Sequence, residues 1–270
     1  MIWSAFRPSD DASTYGYNIP GNMYAAGALS RLLQLNRKLW KSPDIKTLAE
    51  DLLATVKAGL KRYAVVSSPT GQSVYAYEVD GLGNAVVDFD DPNLPSLLSV
   101  PLLGFDDYDE GVYRNTRGRI WSAANPYFYQ GDILEGMGSP HTPKMYVWPL
   151  AHMVRALTSA DPVEQARLIQ ALLQMQCGDG LMHESVHVET VSKCTRPHFE
   201  WANAMLVVTV EQILGWDCEV TAQEEFMKGL ERRERGRGRG WLGLWQQWFA
   251  EKAVFDPLLY ERLEDAVKHV

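Results

Sequence analysis

Two adjacent acids, Asp10 and Asp11, lie in the stretch FRPSDDASTYGYNIPGNM (Phe6–Met23), with Arg7, Tyr15 and Tyr17 around them. Four further stretches share this polar and aromatic make-up. Asp80, Asp88, Asp90, Asp91 and Asn93 fall in YEVDGLGNAVVDFDDPNLPS. Arg117, Asn125 and Tyr127 fall in NTRGRIWSAANPYFYQG, and His141, Thr142 and Trp148 in GMGSPHTPKMYVWP. His183, Glu184, Arg196, Trp201 and Asn203 fall in GLMHESVHVETVSKCTRPHFEWAN. Glycoside hydrolysis uses such a set. One protonated carboxyl donates to the leaving oxygen, and one ionised carboxylate activates water or attacks. Aromatic rings stack on sugar C–H faces, and Arg, Asn and His bond to hydroxyls. Each stretch alone has a plainer reading: Asp10 or Asp11 as a turn cap, DFDD as a series of Asx turns, His141 as a satisfied loop histidine. Five stretches in one style point to a shared cleft.

Other chemistries lack their residues. DFDDPN has neither the sixth-position Gly nor the distal Glu of a calcium loop. HESVH spaces His183 and His187 four apart, but zinc ligation by H-E-x-x-H needs a helix to align both rings, and none is evident there. No G-x-S-x-G or phosphate loop occurs. DFDD (Asp88–Asp91) also matches the D-x-D-D acid motif of terpene cyclases, a four-residue motif that leaves the other stretches without a role.

The elements that must position these loops are read from periodicity and composition. At 46% hydrophobic and 22% charged, the chain reads as globular, and a net charge of −8 argues against a nucleic-acid binder. Asn22–Trp40 and Ser42–Ala64 each put apolar residues at three- and four-residue spacing, with Ser42 as N-cap and Pro43 at the first helical position. Thr142–Ser159 and Asp161–Gln176 form a second helical hairpin, and His198–Leu214 a further buried helix. Val74–Asn84 alternates and ends in glycines, as a short strand and turn would. Antiparallel helix pairs with functional loops, and no βαβ alternation, make the expected class all-α. The tract RRERGRGRG (Arg232–Gly240) reads as a solvated linker, and the last thirty residues return to a helical pattern. Cys177, Cys194 and Cys218 leave at least one thiol unpaired, and no C-x-x-C spacing suggests a metal. The start of the chain reads as neither signal peptide nor anchor, no run of about 18 apolar residues spans a bilayer, and no N-x-S/T sequon occurs.

In family order along Trp3–Leu214, the blocks FRPSDDASTYGYNIPGNM, YEVDGLGN, DDPNLPSLLSVPLLG, NTRGRIWS, NPYFYQG, GMGSPHTPKMYVWPLA, GLMHESVHV and TRPHFEWAN resemble glycoside hydrolase family 125, including fungal members described as meiotically up-regulated proteins. The resemblance implies a toroid of antiparallel helical hairpins, (α/α)6. It also implies an inverting exo-α-1,6-mannosidase without metal or cofactor, whose partner is a mannose-containing oligosaccharide. The family's general acid matches Asp10 or Asp11, with Asp11 preferred, and its general base matches Glu184. By position, Arg7, Tyr15, Asp90, Asp91, Asn93, Asn125, His141, Thr142, His183, Arg196, Trp201 and Asn203 are the implied sugar-binding residues. Family members carry a long segment before R-P-S-D-D, whereas nine residues precede Asp10 here. The expectation is therefore a truncated member: a partial toroid over 1–215, a charged linker over 216–240 and a helical tail over 241–270. The competing expectation is an inactive remnant that keeps the fold and sugar binding. A departure from the pattern is Glu200, which stands where members have a small residue before Trp-Ala-Asn.

Overall fold

The computed structural model describes residues 1–214, so the expected linker and tail lie outside the described residues. The chain divides into two compact units. The first holds Met1–Tyr129 with Gly136–Lys144, and the second holds Gln130–Glu135 with the described chain from Met145.

In the first unit, strand β1 (Tyr17–Asn18) leads into helix α1 (Ile19–Lys38), and α2 (Pro43–Tyr63) returns against it. Asn18 caps α1 through its side-chain oxygen, and Ser42 caps α2 ahead of Pro43. Asn36 closes the hairpin: its amide donates to Ser42 O at 2.8 Å, and its oxygen accepts from Ser42 N at 3.0 Å. The buried face of α1 carries Ile19, Met23, Ala26 and Gly27. A Cβ at Gly27 would stand 2.3 Å from Leu103 O, so only glycine allows this approach of helix to loop.

Strands follow in short pieces. β2 (Val65–Ser67) pairs with β3 (Ser73–Tyr75), and β4 (Glu78–Val79) lies between β1 and β5 (Ala85–Val86), all antiparallel. A 3-10 turn spans Val100–Leu102. Helix α3 (Glu110–Ile120) then covers Arg117, which the sequence reading had placed in a loop. Asp109 caps α3 by accepting from Val112 N, and Tyr113, Thr116 and Ile120 make its buried face. Strands β6 (Phe128–Gln130) and β7 (Glu135–Met137) come next in the chain.

In the second unit, β8 (Tyr146–Val147) precedes α4 (Pro149–Leu157), and α5 (Pro162–Gln174) pairs with it. The expected helix from Thr142 thus starts seven residues later, because the first residues enter a sheet instead. Asp161 caps α5 through Val163 N. Helix α4 is buried on nearly every side, by Leu150, Ala151, Met153 and Val154 among others, and forms the centre of this unit with α5 and α6 (Glu200–Leu214) around it. Strands β9 (Ser185–His187) and β10 (Thr190–Thr195) complete an antiparallel sheet of order β10-β9-β8. No helix among the described residues is long and apolar enough to cross a membrane.

The helical hairpins stand where periodicity placed them, but the all-α expectation is corrected: ten short strands accompany six α-helices among the described residues. Most of these strands are two or three residues long. That is too short to show alternation, and their ladders depend on partners that only the folded chain brings near.

Candidate active site

Arg7–Asp11 form a tight turn in the first unit. Arg7 N donates to Asp11 O at 2.8 Å, and Asp10 N donates to Arg7 O at 3.0 Å. Asp10 adopts φ +66° and is exposed. Left-handed backbone is tolerated by Asp better than by most residues. A net of buried charge fixes this turn. Arg7 Nε donates to Glu78 Oε1 at 2.6 Å, and Glu78 Oε2 accepts from Thr14 N and Tyr15 N at 2.8 and 3.0 Å. Glu78 is fully buried. The Arg7 guanidinium also lies over the Phe89 and Tyr77 rings, at 4.7 and 5.6 Å. Burial works against its charge, but the bond and charge of Glu78 outweigh it and raise its pKa.

Ser9, two residues before Asp11, donates to Asp91 Oδ2. Asp91 Oδ1 accepts from the backbone and side chain of Asn93, at 2.9 and 3.1 Å. Burial raises the Asp91 pKa, with the Ser9 and Asn93 bonds opposing it. Asp90 turns inward: fully buried, it accepts from Leu97 N at 2.7 Å and Leu98 N at 2.9 Å, and burial pushes its pKa up to about 8. Both its oxygens therefore hold loop backbone. Asn125 does similar work, donating to Ile120 O and accepting from Tyr127 N, both at 3.0 Å.

Asp11 is presented differently. Its carboxylate Oδ1 lies 2.9 Å from His141 Nδ1, and both side chains are about one-third exposed at 30% and 27%. His141 is set in turn by Ser139, whose hydroxyl accepts from His141 N at 3.1 Å. Thr142 N bonds Ser139 O, and Thr142 itself is buried. Through Nδ1 the His141 ring holds one oxygen of the Asp11 carboxyl and so orients that group.

In the second unit, Glu184 follows a loop with two positive-φ glycines, Gly178 and Gly180, and immediately precedes β9. Its side chain is 8% exposed, and Arg196 Nε lies 3.3 Å from its Oε1. Asn203 on α6 braces this loop: its oxygen accepts from Met182 N at 3.0 Å, and its amide donates to Met182 O and Phe199 O at 2.9 Å. Arg196 also lies over the Phe199 ring at 5.7 Å, and Phe199 meets Trp148 edge-on. Trp201 is 42% exposed and free to present a ring face. His183 is fully buried, with Nε2 3.2 Å from Asp179 Oδ1. HESVH runs from loop into β9, so His183 and His187 share no helix face.

Each unit thus brings together one candidate carboxylate and the predicted residues near it in sequence or across one loop. Arg7, Asp10, Asp11, Asp91, Asn93 and His141 gather in the first unit, and Glu184, Arg196 and Asn203 in the second. Two working residues and one disulfide were missed by sequence reasoning. Glu78 sat in a strand-like stretch where attention went to Asp80, which instead ties its own turn through Leu82 N and Asn84. Ser9 was visible as a hydroxyl beside two acids. The Cys177–Cys194 disulfide could not be told from three cysteines at irregular spacing.

The model for the family of metal-independent α-mannosidases, glycoside hydrolase family 125, matches residues 1–211. The meiotically up-regulated gene 157 protein of Schizosaccharomyces pombe is 42% identical over 215 residues, which are 79% of this chain and 42% of that protein. A solved structure of a metal-independent α-mannosidase from Streptococcus pneumoniae, in a non-productive complex with α-1,6-mannobiose, superposes with a TM-score of 0.77 at 42% identity. The match covers 80% of this chain and 51% of that one. The chain therefore spans about half the length of the relatives it matches.

Proposed function

The chain belongs to glycoside hydrolase family 125, the metal-independent α-mannosidases, and on that premise we propose that it acts on mannosides as an exo-α-1,6-mannosidase, or as the catalytic half of one, with inversion at the anomeric carbon. The observation that carries this reading is the 42% identity to a mannosidase whose structure holds α-1,6-mannobiose. We further propose that the helical hairpins belong to a partial (α/α)6 toroid. Sugar binding without turnover is the second reading, favoured by the coverage of only about half of each relative.

Asp11 is the proposed general acid. The His141 bond supports it over Asp10, because one carboxyl oxygen is occupied and the other is left to carry the donated proton. Asp10 lies exposed on a left-handed backbone. Glu184 is the proposed base: ionised beside Arg196, it takes a proton from the water that attacks the anomeric carbon. Inversion calls for carboxyls about 6.5–9.5 Å apart when sugar and water are bound. Trp201 offers a stacking face, and Arg7, Tyr15, Asp91, Asn93, Thr142 and Arg196 line or brace the loops around the two acids.

Hydrolysis of α-1,6-mannobiose followed by proton NMR tests this. The expected first product is β-mannose, with turnover falling about 10²–10⁴-fold in Asp11→Asn and in Glu184→Gln. Binding of mannobiose by calorimetry without hydrolysis selects the second reading. First-formed α-mannose, or full activity in Glu184→Gln, would sink the mechanism.

A further inference from the structure

Among the described residues, one group of soft ligand side chains converges outside the proposed sugar chemistry. Ligand atoms of Cys177, His183 and Cys194 all lie within 4.8 Å of one another. Cys177 follows α5, Cys194 lies on β10, and His183 immediately precedes Glu184. The two sulfurs form a disulfide, with Cα atoms 6.4 Å apart.

His183 carries the second, independent observation. It is fully buried, and its Nε2 faces Asp179 Oδ1 at 3.2 Å, while its Nδ1 is buried with no hydrogen-bond partner. A buried polar atom left unbonded is destabilising unless a ligand takes it up. If Nε2–H donates to the Asp179 carboxylate, the tautomer is set and Nδ1 keeps a bare lone pair. Metal-ligating histidines are arranged this way, with a carboxylate on the far nitrogen. Two sulfurs lie near that ring, and sulfur with imidazole is the donor set for a thiophilic divalent cation such as zinc.

We propose that Cys177, His183 and Cys194 form a redox-gated site for a zinc-class divalent cation, shut by the disulfide and opened by its reduction. A dithiol reductant supplies two electrons and two protons. The S–S bond breaks, two thiols form, and the reductant becomes its own disulfide. Cation binding then releases both thiol protons to solvent as two S–metal bonds form. Ligand bonds of about 2.0–2.3 Å place donors roughly 3.3–3.8 Å apart in a tetrahedron, so the sulfurs need to part only modestly. Water fills the fourth position, while Asp179 stays on the far nitrogen of His183. The site has no part in bond cleavage, in keeping with a metal-independent family. Disulfide and cation each tie the same loop, Cys177–His183, that delivers Glu184.

The test uses the whole chain, reduced without oxygen, freed of reductant and titrated with Co²⁺ alone. The reduced protein is expected to develop a thiolate-to-cobalt charge-transfer band with tetrahedral ligand-field bands, and the oxidised protein neither. Cys177→Ser and Cys194→Ser should each weaken the charge-transfer band, and Cys218→Ser should leave it intact. Asp179→Asn keeps the side-chain volume, removes the carboxylate behind His183 and should weaken Co²⁺ binding about 10–100-fold. Absence of the band in reduced protein, its loss only in Cys218→Ser, or unchanged affinity in both Asp179→Asn and His183→Gln would overturn the proposal. The readout is spectroscopic, so it stands or falls apart from the mannosidase reading.

Discussion

Asp11 sits on a loop braced by buried charge, whereas Glu184 sits on a loop braced by neutral groups. Beneath Asp11 lie the Arg7–Glu78 pair and the Ser9–Asp91 bond, with Asp90 holding backbone deeper still. Beneath Glu184 lie the Asn203 amide and a disulfide. The exposure of the two acids is reversed: Asp11 is about one-third exposed over its charged support, and Glu184 is nearly buried over its neutral one. Desolvation explains the pairing. A buried carboxylate beside one arginine already carries a large solvation cost, and further ionic groups beneath it would add more. An acid that meets solvent tolerates a charged floor. The first loop should therefore respond most to charge and pH, and the second to amide geometry and redox state.

The largest expected effect breaks the charged brace. Glu78→Ala strands the Arg7 guanidinium, 10% exposed, and frees two backbone N–H groups, so urea unfolding should show a loss of about 3–5 kcal/mol. A loss under about 1 kcal/mol would mean that the net is ornamental. The matching break in the second unit is Asn203→Ala, which unpairs the Met182 backbone N–H and C=O and should cost about 2–3 kcal/mol, with Glu184-dependent turnover falling further than stability alone predicts.

A smaller effect separates the units by pH. Asp90 holds its proton to about pH 8 when folded, while the unfolded chain releases it near 3.8. Between these values the folded state binds more protons, so this group's contribution to stability falls as pH rises and levels off above about 8. Asp90→Asn does not titrate and should flatten that slope in thermal unfolding measured across the window. An unchanged slope would assign the pH response elsewhere. The smallest effect is a control: Lys57 and Asp107 pair at 2.7 Å but are 40% and 58% exposed, so Lys57→Met should move stability by no more than about 0.5 kcal/mol. A larger change would mean that ion pairing itself, rather than burial, sets the cost in the first unit.

Much of the scaffold was legible from local signals. Ser42 with Pro43, the apolar spacing of α1 and α2, and Asp161 before α5 act within a few residues of themselves, so the chain reports them directly. The residues of both candidate acids were visible too, because acids flanked by aromatics and arginine in loops need no core role. Helix α3 was hidden since its apolar face is only Tyr113, Thr116 and Ile120 among three arginines. Strands β1 and β5 were hidden since each is two residues long, whereas β4 falls within the expected Val74–Asn84 strand and turn.

The helical hairpins, the family and the set of loop side chains able to do carboxylate chemistry are written in the residue order alone, because these rest on short-range spacing and on long ordered blocks. Only the tertiary structure decided how that set divides. Asp90 and Asp91 are neighbours with the same chemistry, yet one carboxylate is spent on backbone at Leu97 and Leu98 while the other takes Ser9 from a loop more than eighty positions away. Asp10 and Asp11 divide likewise, through a bond to His141 across most of the first unit's chain length. In both pairs the distinction comes from which way a backbone turn points each side chain and which distant donor meets it, and neither quantity is carried by the residues' own types.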